Sequence, residues 1–145
     1  MRIPGFSGVE KATKSVAAVV PPTPLLTFEV SGKTVFAKAE SLQPMGAFKL
    51  RGAWHRLTSM SDEERAKGVV AFSSGNHAQG VAWAAKRWGI TAAIVMPSDA
   101  PVAKLEGTRA LGAEVVLYDR HTQSREGLAA ALAAERGATL VPSFD

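Results

Sequence analysis

Two short stretches of this 145-residue chain hold residue types that ordinary packing does not call for. The first is Ser41-Leu42-Gln43-Pro44-Met45-Gly46-Ala47-Phe48-Lys49-Leu50-Arg51-Gly52-Ala53, which sets a lysine just after a loop with proline and glycine, and beside an aromatic ring. A primary amine at a helix start sits in the positive end of the backbone dipole, and a desolvated one is a nucleophile near neutral pH. By itself the position also suits a solvated surface lysine, the commoner fate of that side chain. The second stretch is Ser73-Ser74-Gly75-Asn76-His77-Ala78-Gln79-Gly80. Short polar side chains and glycine where a strand meets a helix offer amides and hydroxyls to an anion. The packing alternative is an N-cap, with a Ser73 or Ser74 hydroxyl closing the helix, Gly75 easing the turn and His77 merely hydrogen-bonded. The loop has neither the Gly-x-Gly-x-x-Gly spacing of a dinucleotide fingerprint nor the Gly-Lys-Ser/Thr ending of a P-loop, so both nucleotide readings fail on the residues.

The elements that must position these stretches follow from periodicity. Residues 1 to 24 close with Pro21, Pro22 and Pro24 and read as a short helix or arm with an extended exit. Leu25 to Val30 and Thr34 to Ala39 flank Ser31-Gly32-Lys33, a hairpin signal. Ser41 to Ala47 reads as a loop, and Phe48 to Met60 carries Leu50, Ala53, Trp54 and Leu57 at helical spacing, which puts Lys49 at a helix start. Ser61-Asp62-Glu63-Glu64 is a capping box opening a short helix that ends at Gly68. The rest alternates regularly: strand Val69 to Phe72, helix Asn76 to Trp88, strand Thr91 to Met96, helix Val102 to Leu111, strand Glu114 to Tyr118, helix Ser124 to Arg136, and a last strand from Thr139 to Val141. Apolar strands alternating with helices that stop at glycine predict an α/β fold with a parallel sheet flanked by helices on both faces. Trp54, Trp83 and Trp88 read as core or interface residues.

Composition narrows the function classes. The chain is 46% hydrophobic, enough for one globular domain, and has no cysteine for a disulfide framework or a thiolate site. The formal charge of +4 comes from Lys and Arg scattered among 13 acidic residues, without the dense basic run or interleaved aromatics of a nucleic-acid surface. The apolar run Val16 to Val20, cut off by Pro21, is far short of the ~20 residues that a membrane span needs.

Together, Gly46-Ala47-Phe48-Lys49-Leu50-Arg51-Gly52-Ala53 and Ser74-Gly75-Asn76-His77-Ala78-Gln79-Gly80 resemble the cofactor-lysine motif and the substrate loop of fold-type II pyridoxal-phosphate enzymes. Within that group the branch resembled is that of threonine/serine dehydratase and serine racemase. Thr23-Pro24-Leu25, Met96-Pro97, Ala100-Pro101 and Gly112-Ala113 add to the match, which runs from about residue 20 onward. The resemblance implies a tryptophan-synthase-β-like fold, with residues 1–59 belonging to a larger cofactor domain and 60–145 forming a small βαβ domain. It also implies a chain that stops short: the glycine-rich loop for the cofactor phosphate and the polar residue facing the pyridine nitrogen come later in this family.

By the same resemblance the cofactor is pyridoxal 5'-phosphate, held by Lys49, which then serves as base on the substrate α-carbon. Phe48 and Asn76 would flank the cofactor, Asn76 at its ring hydroxyl oxygen. Ser73, Ser74, Gly75, Asn76 and His77 would receive the substrate carboxylate, and Arg125 resembles an arginine that approaches it in racemase-like members. Ser74 matches the serine that serves as acid/base on the opposite face in serine racemases. The implied reaction is dehydration and deamination of L-threonine, L-serine or a related 3-hydroxy amino acid to a 2-oxo acid and ammonia. The alternatives are a serine racemase-type activity, or an inactive remnant or binding domain. A small amino-acid substrate, a cytoplasmic location and self-association complete the expectation, with no metal, nucleic acid or membrane partner.

Overall fold

The computed structural model describes residues 5–144. Helix α1, Phe6–Ala17, opens the chain, followed by a hairpin of strands β1, Leu25–Val30, and β2, Lys33–Lys38. The register pairs Val30 with Lys33, so the turn is the two residues Ser31 and Gly32 rather than the three expected. Both take positive φ, 50° and 71°, the backbone of a type I′ turn, whose twist matches that of the paired strands and draws Lys33 into β2. Two 3₁₀ turns, Glu40–Leu42 and Pro44–Gly46, occupy the expected loop. Met45 there holds φ 75°, a left-handed conformation that costs a non-glycine residue strain.

Helix α2 spans Lys49–Thr58, with Leu50, Ala53, Trp54 and Leu57 all buried as their spacing predicts. Helix α3, Asp62–Lys67, has the capping box in full: Glu64 N–H donates to Ser61 Oγ at 3.1 Å, and Ser61 N–H to Glu64 Oε2 at 2.7 Å. Then come β3, Val69–Phe72; α4, Asn76–Trp88; β4, Ala92–Pro97; α5, Val102–Ala110; β5, Glu114–Tyr118; α6, Arg125–Arg136; and β6, Thr139–Leu140. The element order and types agree with the sequence pattern, with ends shifted by one or two residues. Left-handed glycines at Gly89 and Gly137 end α4 and α6.

The four C-terminal strands form a parallel sheet in the order β5-β4-β3-β6. Side-chain alternation divides its two faces. Val69 and Ala71 of β3 and Ile94 and Met96 of β4 enter a core with α1, α2, α4 and α5, whereas Val70, Phe72, Ala93 and Val95 meet Ala129 and Ala133 of α6. Covering both faces requires near-continuous apolar strands, which β3 and β4 are. Edge strand β5 is only partly covered. Trp54 ties the N-terminal helices to α4: its ring stacks on Trp88 at 5.5 Å, meets Trp83 edge-on at 5.9 Å, and its Nε1–H donates to Ser15 O at 2.9 Å. Trp54 and Trp83 are buried, while Trp88 lies at the surface under Arg65. Among the described residues no helix is long and apolar enough to cross a membrane.

Candidate active site

The strand order contains one reversal. The chain runs outward from β3 through β4 to β5, then crosses back to set β6 on the other side of β3. Loops leaving the carboxyl ends of two such neighbouring strands diverge and open a crevice, the general ligand position in open α/β sheets. Here the loop after β3 is Ser73-Ser74-Gly75 and the segment after β6 is Val141-Pro142-Ser143. Backbone pairing continues to the rim, with Val141 N–H donating to Val70 O at 2.8 Å and Ser73 N–H to Val95 O at 3.1 Å.

Lys49 reaches this crevice from α2. Its amine donates to the Ser143 carbonyl at 3.1 Å and stands 5.2 Å from the centre of the exposed Phe48 ring. A cavity of about 160 Å³ there is lined by Phe48, Lys49, Arg56, His77, Val141 and Ser143, among others. No carboxylate pairs with Lys49 among the described residues. The approach of α2 to α4 depends on Gly80: a Cβ there would stand 3.2 Å from the Lys49 carbonyl carbon and oxygen, closer than side chains tolerate without displacement. One turn before Gly80, α4 begins at Asn76, so this contact sets the lysine backbone beside the start of that helix.

The start of α4 carries no side-chain cap. Gly75, not Ser73 or Ser74, is the N-cap residue, and the Ser73 hydroxyl accepts from Gly75 N–H at 3.2 Å instead of reaching into the helix. The N-cap alternative for the two serines is therefore corrected: the loop turns the Ser73 side chain back on the loop itself. Amides of the first helical turn have no partner within a helix, and this end leaves them to whatever approaches. His77 is buried, with its Nε2–H donating to Val141 O at 2.9 Å. Burial pushes its pKa below the ordinary 6.5, and the Lys49 charge adds to the effect, against the raising influence of the Val141 carbonyl.

The expected residues are thus partly assembled. Phe48, Lys49 and His77 share the cavity, Ser73, Ser74 and Gly75 form the adjoining loop, and Asn76 is the first residue of α4. Arg125 stands apart from the cavity lining, on the first turn of α6, paired with Glu126 at 2.7 Å and lying 5.6 Å over the Phe72 ring.

Three features went unread in the sequence. The segment after β6 supplies carbonyls to both Lys49 and His77. Lys104 of α5 donates to Asn76 Oδ1 at 2.7 Å. Arg51 forms a two-pronged ion pair with Glu40, at 2.7 and 2.9 Å, which anchors the first turn of α2 and holds the Glu40 carboxyl down at about 2. No local pattern announces any of these, because the partners lie between 11 and 94 positions apart.

A family profile described as "Pyridoxal-phosphate dependent enzyme" matches residues 16–145. An L-threo-3-hydroxyaspartate ammonia-lyase from Pseudomonas sp is 46% identical, the alignment taking in 100% of this chain and 47% of that protein. Among solved structures, maize serine racemase superposes with a TM-score of 0.92 at 37% identity, covering 99% of this chain and 45% of the other. A threonine deaminase from T.th. superposes with a TM-score of 0.85 at 42% identity, covering 98% and 46% respectively. The chain spans about half the length of the curated relatives it matches. With the family profile covering the sheet, the lysine helix and the loop at their junction, the chain belongs to the pyridoxal-phosphate dependent enzyme family.

Proposed function

We propose that this chain supplies the lysine-bearing part of a pyridoxal 5'-phosphate-dependent ammonia-lyase that takes water and ammonia from a 3-hydroxy amino acid such as L-threonine, L-serine or 3-hydroxyaspartate. One observation carries the reading: an amine engaged by a backbone carbonyl, at the reversal point of the sheet, beside an uncapped helix start. The residues present fit the aldehyde end of the cofactor, since Lys49 lines a cavity, the Phe48 ring is exposed beside it, and Asn76 opens α4 at the adjoining loop.

In this reading Lys49 Nζ would hold the cofactor and, as a free amine, would accept the substrate α-hydrogen as a proton. The chemistry that pyridoxal 5'-phosphate would supply there is an electron sink for the pair left at the α-carbon. The α4 amides, with Ser73, Ser74, Gly75, Asn76 and His77, take the substrate carboxylate and fix its orientation. His77 joins the carboxylate site through its backbone N–H, because its ring is kept neutral by burial and its one ring proton, on Nε2, is committed to Val141 O. Arg125 would join the carboxylate site only by exchanging Glu126 for the substrate. Overall the 3-hydroxy amino acid would lose its β-hydroxyl as water and take up one water on hydrolysis, so that the net products are the 2-oxo acid and ammonia. The names of the ammonia-lyase and threonine deaminase relatives support this reaction class.

Racemisation is the second reading. Ser74 is exposed and does not cap α4, so its hydroxyl is free to serve as an acid/base, and one structural relative is a serine racemase.

We also propose that residues 1–59 belong with a larger cofactor domain and 60–145 with a small one. Support comes from the hairpin, where Leu25, Phe28, Val30 and Phe36 are exposed apolar residues awaiting cover.

The test of the main reading is to incubate the protein with pyridoxal phosphate, reduce with borohydride and map the adduct by peptide mass. The expected result is modification confined to Lys49 and lost in Lys49→Ala; labelling spread over many lysines, or none, overturns the assignment.

A further inference from the structure

Lys104 sits in the first turn of α5 and spends its charge unusually. Its amine donates to Asn76 Oδ1 at 2.7 Å and to Gln79 Oε1 at 3.3 Å, two neutral amide oxygens on one face of α4. No carboxylate lies within ion-pair distance of it among the described residues, and its helix neighbour Glu106 is taken by Arg109 at 2.7 Å. The two helices approach closely where they exchange this contact: a Cβ on Gly107 would collide with Gln79 Nε2, so glycine makes room for the Gln79 side chain. Among the described residues the partners of this cation are thus neutral amide oxygens and no acid.

The chemistry of the pair gives the Asn76 amide a direction. An ammonium group has donors and no acceptor, so it can bind the Asn76 carbonyl oxygen and never its NH₂. Committing Oδ1 to Lys104 turns Nδ2 to the other side of the planar amide, and Nδ2 makes no hydrogen bond to another described residue. Asn76 is exposed, and an exposed side chain without such an anchor exchanges rotamers in picoseconds to nanoseconds.

We infer that Lys104 is a positioning residue that locks the side-chain amide of Asn76, so that the loop presents N–H donors, and not a carbonyl oxygen, to an anionic oxygen of the bound ligand. The inference rests on the reading above that Asn76 contacts the cofactor's ring oxygen. Replacing the cation without changing length much, as in Lys104→Met, frees the amide to present either face; Lys104→Arg retains a donor for Oδ1.

The test uses the 145-residue chain without ligand. Three-bond couplings across χ1 of Asn76, with relaxation of its side-chain amide, report one fixed rotamer or several. The expected result is a single rotamer in the unsubstituted chain, averaging in Lys104→Met, and a single rotamer restored in Lys104→Arg. A fixed rotamer in Lys104→Met, or averaging in Lys104→Arg equal to that in Lys104→Met, overturns the proposal. If Lys104→Met loses cooperative unfolding, Lys104→Ala carries the same comparison.

The ligand-bound arm measures borohydride-trapped pyridoxal phosphate at Lys49. Lys104→Met and Asn76→Ala each lower capture by about tenfold, the worth of one charge-assisted hydrogen bond. The double variant falls no further, because Lys104 acts through Asn76; multiplied effects count against the proposal. Absence of capture at Lys49 in the unsubstituted chain defeats the cofactor reading alone, while the rotamer comparison still decides the role of Lys104.

Discussion

The amine of Lys49 and the carbonyl of Ser143, 94 positions apart in sequence, meet at 3.1 Å. They come together because β6 pairs with β3, with Val69 opposite Thr139 and Val70 opposite Leu140, so the chain leaving β6 passes the loop leaving β3. The same segment accepts the Nε2–H of His77 through Val141. Pairing of this last strand with the sheet therefore brings two backbone carbonyls to the lysine and its neighbouring histidine.

Gly80→Ala tests the close approach of α4 to the Lys49 backbone. A methyl 3.2 Å from that carbonyl must push the two helices apart, at a cost of about 1–3 kcal/mol by the usual penalty for overpacking. Urea unfolding measures the loss, and trapping of pyridoxal phosphate at Lys49 should fall with it. Unchanged stability and unchanged trapping would show that the helices yield freely and that the contact does not place the lysine.

His77 predicts a first acid-sensitive step. Its folded pKa lies below the unfolded 6.5, burial being the main cause, so the unfolded chain binds a proton more readily. Its contribution to stability is whole above pH 6.5 and declines as pH falls through the folded value. His55 shifts in the same direction through burial and the charge of Lys11. Unfolding free energies across that range should flatten in part with His77→Gln and further with His55→Gln added; identical slopes in all three proteins would refute the assignment.

Glu40 predicts a second, lower step. Hydrogen bonding from Arg51 carries its pKa from 4.5 to about 2, with Thr23, Arg51 charge and Lys38 also lowering it against burial. Stability from the pair is complete above pH 4.5 and is lost as pH falls towards about 2. Glu40→Gln should remove that part of the acid slope, read by circular dichroism in a pH series. A slope that survives Glu40→Gln would move the acid lability elsewhere.

Ser74→Ala separates the two reaction readings in the active protein. Selective loss of D-isomer formation with elimination intact assigns Ser74 the racemase role. Elimination unchanged in a protein that makes no D-isomer even before substitution leaves the ammonia-lyase reading standing alone.

Much of this architecture is local and was readable as such. Apolar runs in β3 and β4, the spacing of Leu50, Ala53, Trp54 and Leu57, the Ser61 and Glu64 capping pair, and glycines closing α4 and α6 are each short-range patterns. They fixed the order of elements and put Lys49 at a helix start, and the motifs around Lys49 and Asn76 carried the family. What periodicity cannot express is the order of strands in the sheet. That order decides which loop ends become neighbours: β6 returning beside β3 brought Ser143 to Lys49, and α5 alongside α4 brought Lys104 to Asn76. Arg125 shows the converse, a motif residue whose helix start lies over Phe72 and outside the cavity lining. The sequence by itself determined the elements and the reactive groups; the tertiary structure decided which of them meet, because hydrogen bonds and buried contacts act over ångströms of space whatever the distance along the chain.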